Sequence, residues 1–198
     1  QNDAGEIPTD LIELYAKVAE AQSLIPSEVL VGSNTEAMRQ EMAENQQKDQ
    51  QLEEQLRKVR ANLKSQIDQG LANVERVGDQ ILVQISTQDS FRSGFAELEA
   101  TFLPTLAVLG ETISELGSKV TISGHTDNIP IAFSERFLSN WDLSAARAAA
   151  VADFLIQDNA VAENRIDVVG FADTKPIASN TTPLGRSQNR RIEILIDS

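Results

Sequence analysis

One stripe of apolar residues constrains the first half of this chain more than any other feature. Its members recur at steps of three and four residues: Leu52, Leu56, Val59, Leu63, Ile67, Leu71, Val74 and Val77. That spacing places them on one face of an α-helix, and no proline interrupts residues 35–77. A long amphipathic helix over about residues 35–78 is therefore predicted. We expect at least its C-terminal half, from about Leu63, to pack on the folded domain or on a second copy, because a bare apolar stripe is costly in water.

From residue 80 the pattern changes from helical spacing to short alternating segments. The predicted elements are strands at 80–86, 120–123, 165–169 and 191–196, with helices at 99–116 and 143–157. Their order is β-α-β-α-β-β, which predicts an α/β (α+β) sandwich with helices covering one face of a sheet. The domain organisation predicted is a linker with the long helix over residues 1–79, followed by a folded domain over residues 80–198.

Composition excludes several classes of function. The chain has no cysteine, one histidine and a net charge of −13. These values exclude disulfides, thiolate sites and multi-histidine metal centres, and they argue against a general nucleic-acid binder. No apolar run approaches the roughly 18 to 20 residues that cross a bilayer. The chain begins at Gln1 rather than Met, which favours a processed product or a fragment.

Polar residues leave the second predicted strand together, as Gly124-His125-Thr126-Asp127. Side chains at a strand end commonly build a site, but a glycine turn capped by Thr and Asp explains the same letters. A hydrolytic triad of His125, Asp127 and a serine is disfavoured, because no nucleophile-elbow pattern is present.

Arginines form the second candidate feature. Arg147 lies among small residues near the start of a predicted helix that Asn140 or Asp142 could cap, and Arg186, Arg190 and Arg191 cluster before the last strand. A solvated helix or strand edge is one interpretation. The other is a site for an anionic ligand smaller than a nucleic acid, gripped through guanidinium forks.

Five blocks of sequence resemble the OmpA-like peptidoglycan-binding domain. In chain order they are Phe91-x-Ser93-Gly94-x-Ala96-x-Leu98, Gly124-His125-Thr126-Asp127, Leu143-Ser144-x-x-Arg147-Ala148, Val169-Gly170-Phe171-Ala172 and Gly185-Arg186-x-x-Asn189-Arg190-Arg191-Ile192-Glu193-Ile194. The family's fold is β-α-β-α-β-β, in agreement with the order of elements above. Two positions depart from the family: Arg92 stands where an acidic residue is frequent, and Phe95 where a small polar one is usual.

Within that family, Ser139-Asn140-Trp141-Asp142-Leu143-Ser144 is most similar to the flagellar stator B subunits, the MotB and PomB type. The resemblance implies the periplasmic part of a single-pass inner-membrane protein, joined to a stator A subunit through a transmembrane segment. It also implies a homodimer and contact with periplasmic ring proteins of the flagellar basal body.

The chemistry implied by the resemblance is binding without turnover. Asp127 would accept the ammonium of diaminopimelate in the peptidoglycan stem peptide, and Arg147 would hold its carboxylate, the two side chains facing each other as a clamp. The residues matching the family's binding positions are Thr126, Asp127, Asn140, Leu143, Arg147 and Arg190. No cofactor, metal or catalytic residue is implied.

Anchoring a flagellar stator to the wall, so that ion-driven torque is delivered, is the function that this resemblance implies. The alternative is a generic OmpA-like envelope protein that tethers the outer membrane or another complex to peptidoglycan. An enzyme acting on peptidoglycan is disfavoured, because neither a hydrolase pair of carboxylates nor a metal-ligand set can be identified.

Overall fold

The computed structural model describes residues 27–88, 90–92, 94–131, 136–159 and 161–197. The chain divides into two units, residues 1–47 and residues 48–198. Helix α1, Ser27–Asn62, begins in the first unit, where its side chains over residues 35–47 are exposed. None of the described helices combines the length and the apolar character that a membrane span requires.

A five-stranded sheet forms the framework of the second unit. Its strands are β1 (Ala72–Val77), β2 (Gln80–Ser86), β3 (Val120–Gly124), β4 (Ile166–Gly170) and β5 (Arg191–Asp197). They are arranged in the order β1-β2-β5-β3-β4, and all neighbours are antiparallel except β3 and β4. The helices of this unit after α1 are α2 (Lys64–Asp68), α3 (Leu103–Leu116), α4 (Asn140–Asn159) and α5 (Pro183–Asn189), with a 3-10 turn at Glu163–Arg165.

Buried and less buried side chains alternate along the strands, so one face of the sheet packs into the hydrophobic core. The buried members are Ile81, Val83, Ile85, Val120, Ile122, Ile192, Ile194 and Ile196. They form one cluster with apolar residues of α3, α4 and the last turns of α1. The predicted sandwich, with helices over one sheet face, is therefore confirmed. Each predicted strand and both predicted helices exist, with ends displaced by up to four residues.

The predicted long helix is interrupted at Leu63 and is wrong beyond α2. On its helical part four members of the apolar stripe are buried in the core, Leu52, Leu56, Val59 and Leu63, so packing extends back to Leu52. After α2 the backbone turns at Gly70, whose φ of +71° suits glycine and ends the helical segment. Residues 72–77 then pair with β2 as a strand, because ladder bonds and burial of Val74 outweigh helical spacing.

The predicted domain boundary at residue 79 is also wrong. Residues 78 and 79 form the turn that joins β1 to β2 in one antiparallel hairpin, so a cut there would divide a sheet. Arg60 ties α1 to this hairpin by donating two hydrogen bonds to the carbonyl oxygen of Val74, at 3.2 and 3.0 Å. The folded unit consequently includes residues 48–79.

Candidate functional site

The carboxyl end of β3 and the start of α4 meet in close contact. A Cβ atom added to Gly124 would lie 2.0 Å from the carbonyl oxygen of Ser144, so only glycine allows this approach. The sequence interpretation of Gly124 as a turn is wrong, because it is the last residue of the strand. Ser139 caps α4 by accepting from the backbone N–H of Asp142 at 3.2 Å. Neither Asn140 nor Asp142, the two predicted capping residues, occupies that position.

A cleft of about 340 Å³ opens beside this junction. All six predicted binding residues line it, namely Thr126, Asp127, Asn140, Leu143, Arg147 and Arg190. Sequence reasoning missed the rest of the lining, which consists of Thr87, Gln88, Phe91, Gly94, Ile129 and Ile131. The block at residues 91–98 was a signal for part of that wall, but nothing local indicates which of its side chains face the cleft.

Asp127 is buried and already paired within the chain. Its Oδ2 accepts a hydrogen bond from Nη1 of Arg190 at 2.6 Å, and its Oδ1 accepts from the backbone N–H of Ile129 at 2.9 Å. Asp127 and Arg147, the two residues of the predicted clamp, both line the cleft, and in the described residues the ion-pair partner of this carboxylate is Arg190, which the predicted clamp did not include. Asp127 and Arg190 are 63 positions apart in the sequence, so no local pattern predicts that they pair.

Arg147 is a buried arginine that holds a wall of the cleft. Its Nε donates to the carbonyl oxygen of Phe95 at 2.9 Å, and its Nη2 donates to that of Arg92 at 3.3 Å. The guanidinium carbon lies 5.1 Å from the ring centroid of Phe91. Burial, and secondly the charge of Arg190, lower the pKa of Arg147 to about 10, against the opposite effect of Asp127. The guanidinium therefore stays charged at neutral pH.

The other predicted residues shape the cleft. Nδ2 of Asn140 donates to the carbonyl oxygens of Asp127 and Ile129, at 3.2 and 3.1 Å. The hydroxyl of Thr126 donates to the carbonyl oxygen of Asp127 at 2.9 Å. Leu143 is a buried apolar wall. These contacts fix the segment after β3, so the orientation of the Asp127 carboxylate is set before any ligand arrives.

His125 belongs to the opposite side of the sheet. Its ring is 2% exposed, stacks on Phe171 with centroids 5.3 Å apart, and places Nε2 3.3 Å from Oε2 of Glu193. Burial would raise the pKa of Glu193, but the neighbouring His125 and Arg191, whose Nε donates a hydrogen bond to Oε1 of Glu193 at 2.7 Å, lower that pKa to about 2. His125 and Asp127 thus do not share a site. Among the described residues no group of three acidic or histidine side chains could hold a metal ion.

The predicted basic cluster is divided by the fold. Nη1 of Arg186 donates to the carbonyl oxygen of Asn180 at 2.9 Å, and Arg191 donates to Glu193 and to two backbone carbonyls. Only Arg190 of the three lines the cleft. The cluster is therefore largely structural, and the anion-binding potential of the cleft lies with Arg147 and Arg190.

Comparisons with known proteins agree on one family. A family model described as the OmpA family matches residues 90–190. Motility protein B of Bacillus subtilis is 35% identical over 148 residues, which cover 68% of this chain and 55% of that protein. The peptidoglycan-binding protein ArfA of Mycobacterium tuberculosis is 48% identical over 80 residues, which cover 40% of this chain and 23% of that protein.

Among solved structures, the cell wall anchor of the T6SS from Pseudomonas aeruginosa superposes with a TM-score of 0.67 and 35% identity. The match covers 71% of this chain and 96% of that one. Against Motility protein B, by contrast, the chain spans little more than half of the relative's length.

Proposed function

Because the chain belongs to the OmpA family, we propose that its cleft binds peptidoglycan without covalent chemistry. The observation that carries the proposal is the cleft itself, which holds a buried cation, Arg147, and a buried anion, Asp127, on a fixed backbone. Diaminopimelate in a stem peptide offers the complementary pair, a carboxylate and an ammonium. Arg147 would hold the carboxylate, and a charged hydrogen bond of this kind contributes about 1.5–3 kcal/mol.

The ammonium of the ligand would share Asp127 with Arg190. A carboxylate has about four acceptor directions, and Arg190 with the Ile129 N–H uses two of them. The side chain of Arg190 is 34% exposed. Its guanidinium therefore has room to move aside, or to remain as a second partner of the Asp127 carboxylate beside the ligand ammonium. Thr126, Asn140 and Leu143 would position the ligand by shape.

At the level of the cell, we propose that binding anchors a flagellar stator, so that torque acts against the wall. Support comes from the extent of the similarity to Motility protein B. That similarity covers 68% of this chain, whereas the OmpA family model covers residues 90–190, or 51% of it. The proposed setting is the periplasmic part of a single-pass inner-membrane protein that acts as a homodimer. The proposed partners are a stator A subunit and basal-body ring proteins.

A second candidate is a wall anchor for a different envelope complex. The 35% identity to a T6SS cell wall anchor favours it about as strongly as the same identity favours a stator. Both candidates share the cleft and the wall ligand, and they differ in the complex that is held.

Sedimentation with purified sacculi tests the shared function. Asp127→Asn keeps the shape of the side chain but removes its charge, and we expect it to weaken binding about tenfold to a hundredfold. Asp167→Asn, on the exposed side of β4 and outside the cleft, is the matched control with the same change of net charge. Equal binding by both variants would refute the proposed cleft.

Motility of the natural host distinguishes the two complexes. If the chain anchors a stator, replacing the chromosomal gene with the Asp127→Asn form should abolish swimming in soft agar while the Asp167→Asn form swims normally. Normal swimming by the Asp127→Asn strain, with sacculus binding lost, would instead support the second candidate.

A further inference from the structure

A group of charged side chains lies around the ring of Phe95, a residue whose carbonyl oxygen accepts a hydrogen bond from Arg147. The guanidinium carbons of Arg92 and Arg136 lie 4.8 and 5.9 Å from the ring centroid of Phe95. Glu97 pairs with both arginines, through Oε2 to Nη1 of Arg92 at 3.8 Å and through Oε1 to Nη1 of Arg136. We call these four residues the rim. The rim brings two guanidiniums and one carboxylate together, in a chain whose net charge is −13.

The rim is directly connected to the cleft. Arg147, which lines the cleft, donates hydrogen bonds to the backbone carbonyls of two rim residues, Arg92 and Phe95. A carboxylate held by Arg147 would therefore lie beside the rim. About eleven bonds separate the carboxylate at the end of a diaminopimelate side chain from the α-carboxylate of a preceding glutamate that is linked through its own side chain, a reach of up to about 13 Å at an extended rise of about 1.2 Å per bond.

We propose that the rim is a second carboxylate subsite, and that Glu97 occupies it in the free protein in place of a carboxylate of the ligand. This inference rests on the proposed function, because it assigns the carboxylate to the stem peptide. The residue preceding diaminopimelate there is a glutamate linked through its side chain, so its α-carboxylate is free. Stacking on Phe95 pre-orients both guanidiniums for such a group.

Glu97 is suited to being displaced. Its side chain is 54% exposed, and those of Arg92 and Arg136 are 61% and 63% exposed. Ion pairs this exposed contribute little stability, because both partners remain solvated. A ligand carboxylate can therefore exchange with Glu97 at low cost, and the subsite would add selectivity for a stem peptide over the free amino acid.

Calorimetric titration of the purified chain with two probes tests the subsite. The probes are free meso-diaminopimelate and the tripeptide L-Ala-γ-D-Glu-meso-diaminopimelate; only the tripeptide carries the α-carboxylate of the glutamyl residue. Glu97→Gln should bind the tripeptide about two- to fivefold more tightly, and Arg92→Gln about two- to fivefold more weakly. Neither variant should change the affinity for diaminopimelate.

Glu99→Gln is the matched control, since it alters the net charge equally in the same loop and belongs to none of the rim contacts above. If Glu97→Gln and Glu99→Gln changed the affinity for the tripeptide equally, or if a variant changed the affinity for both probes equally, the effect would come from net charge alone. Either result would overturn the subsite. Binding of diaminopimelate with no preference for the tripeptide would overturn the subsite but leave the proposed function standing. Failure of both probes with the unaltered chain would overturn the proposed function and this subsite together.

Discussion

Replacing Arg147 by alanine should destabilise the fold as well as weaken ligand binding. The guanidinium satisfies the carbonyl oxygens of Arg92 and Phe95 from a position only 4% exposed. A hydrogen bond from a charged donor contributes about 1.5–3 kcal/mol, and an orphaned acceptor costs about 1–3 kcal/mol when water cannot reach it. Since the cleft is open and water can replace part of the loss, we expect Arg147→Ala to lower the free energy of unfolding by about 2–4 kcal/mol.

Urea unfolding followed by circular dichroism measures this loss, with the slope of the transition as a check on two-state behaviour. Arg147→Lys separates charge from geometry: the ammonium keeps the charge but lacks the planar fork that reaches two carbonyls at once. It should recover about half of the lost stability. An Arg147→Ala protein within 0.5 kcal/mol of the unaltered chain, by the usual scatter of surface substitutions, would refute the argument. Arg147 would then act on the ligand alone.

Three further perturbations test other parts of the structure. Leu56→Ala should cost about 2–5 kcal/mol in urea unfolding because Leu56 is buried in the core, whereas Met42→Ala, at a 61% exposed position, should cost almost nothing; equal effects would refute the inclusion of the last turns of α1 in the fold. Glu193→Gln should remove on the order of 3 kcal/mol at pH 7, because the pKa of Glu193 is lowered from 4.5 to about 2. That difference from the unaltered chain should be full above pH 4.5 and vanish as the pH falls from 4.5 to 2; a difference independent of pH would contradict the ion-pair account. Gly124→Ala should lower the melting temperature markedly, because its Cβ would lie 2.0 Å from a backbone oxygen of Ser144; an unchanged melting temperature would show that α4 can retreat freely.

Local patterns were sufficient for four of the five strands, and the family resemblance for six of the twelve residues that line the cleft. In β2 every second side chain is buried, namely Ile81, Val83 and Ile85. A strand with one covered face shows this alternation in its sequence, so it can be predicted. Five of the six predicted binding residues lie in the motif blocks and the sixth, Asn140, lies in the Ser139–Ser144 stretch; the fold brings all six to one cleft. The blocks identified side chains that lie near the ends of strands and helices, where the cleft is formed.

Non-local contacts decided what those patterns could not. Leu71, Val74 and Val77 continue the helical spacing of the stripe, yet residues 72–77 are held as a strand by β2. Spacing by three also fits a short strand with one buried residue, so the period alone does not decide between them. Likewise, Arg147 reaches carbonyls 52 and 55 positions away. An arginine among alanines gives no local sign that its partners are backbone atoms of a distant loop.

The charges in the cleft favour an order of recognition. Arg147 and Arg190 face one carboxylate, Asp127, and the mutual effect of the two guanidiniums is repulsive, since the charge of Arg190 helps to lower the pKa of Arg147. A ligand carboxylate placed on Arg147 would relieve that repulsion at once. The ligand ammonium, in contrast, must contend with Arg190 for a carboxylate that already has a partner at 2.6 Å. Under the proposed function, the carboxylate of the ligand would therefore be the dominant contact. The ammonium would select among carboxylate ligands, because a zwitterion can satisfy both buried charges without adding net charge to the site.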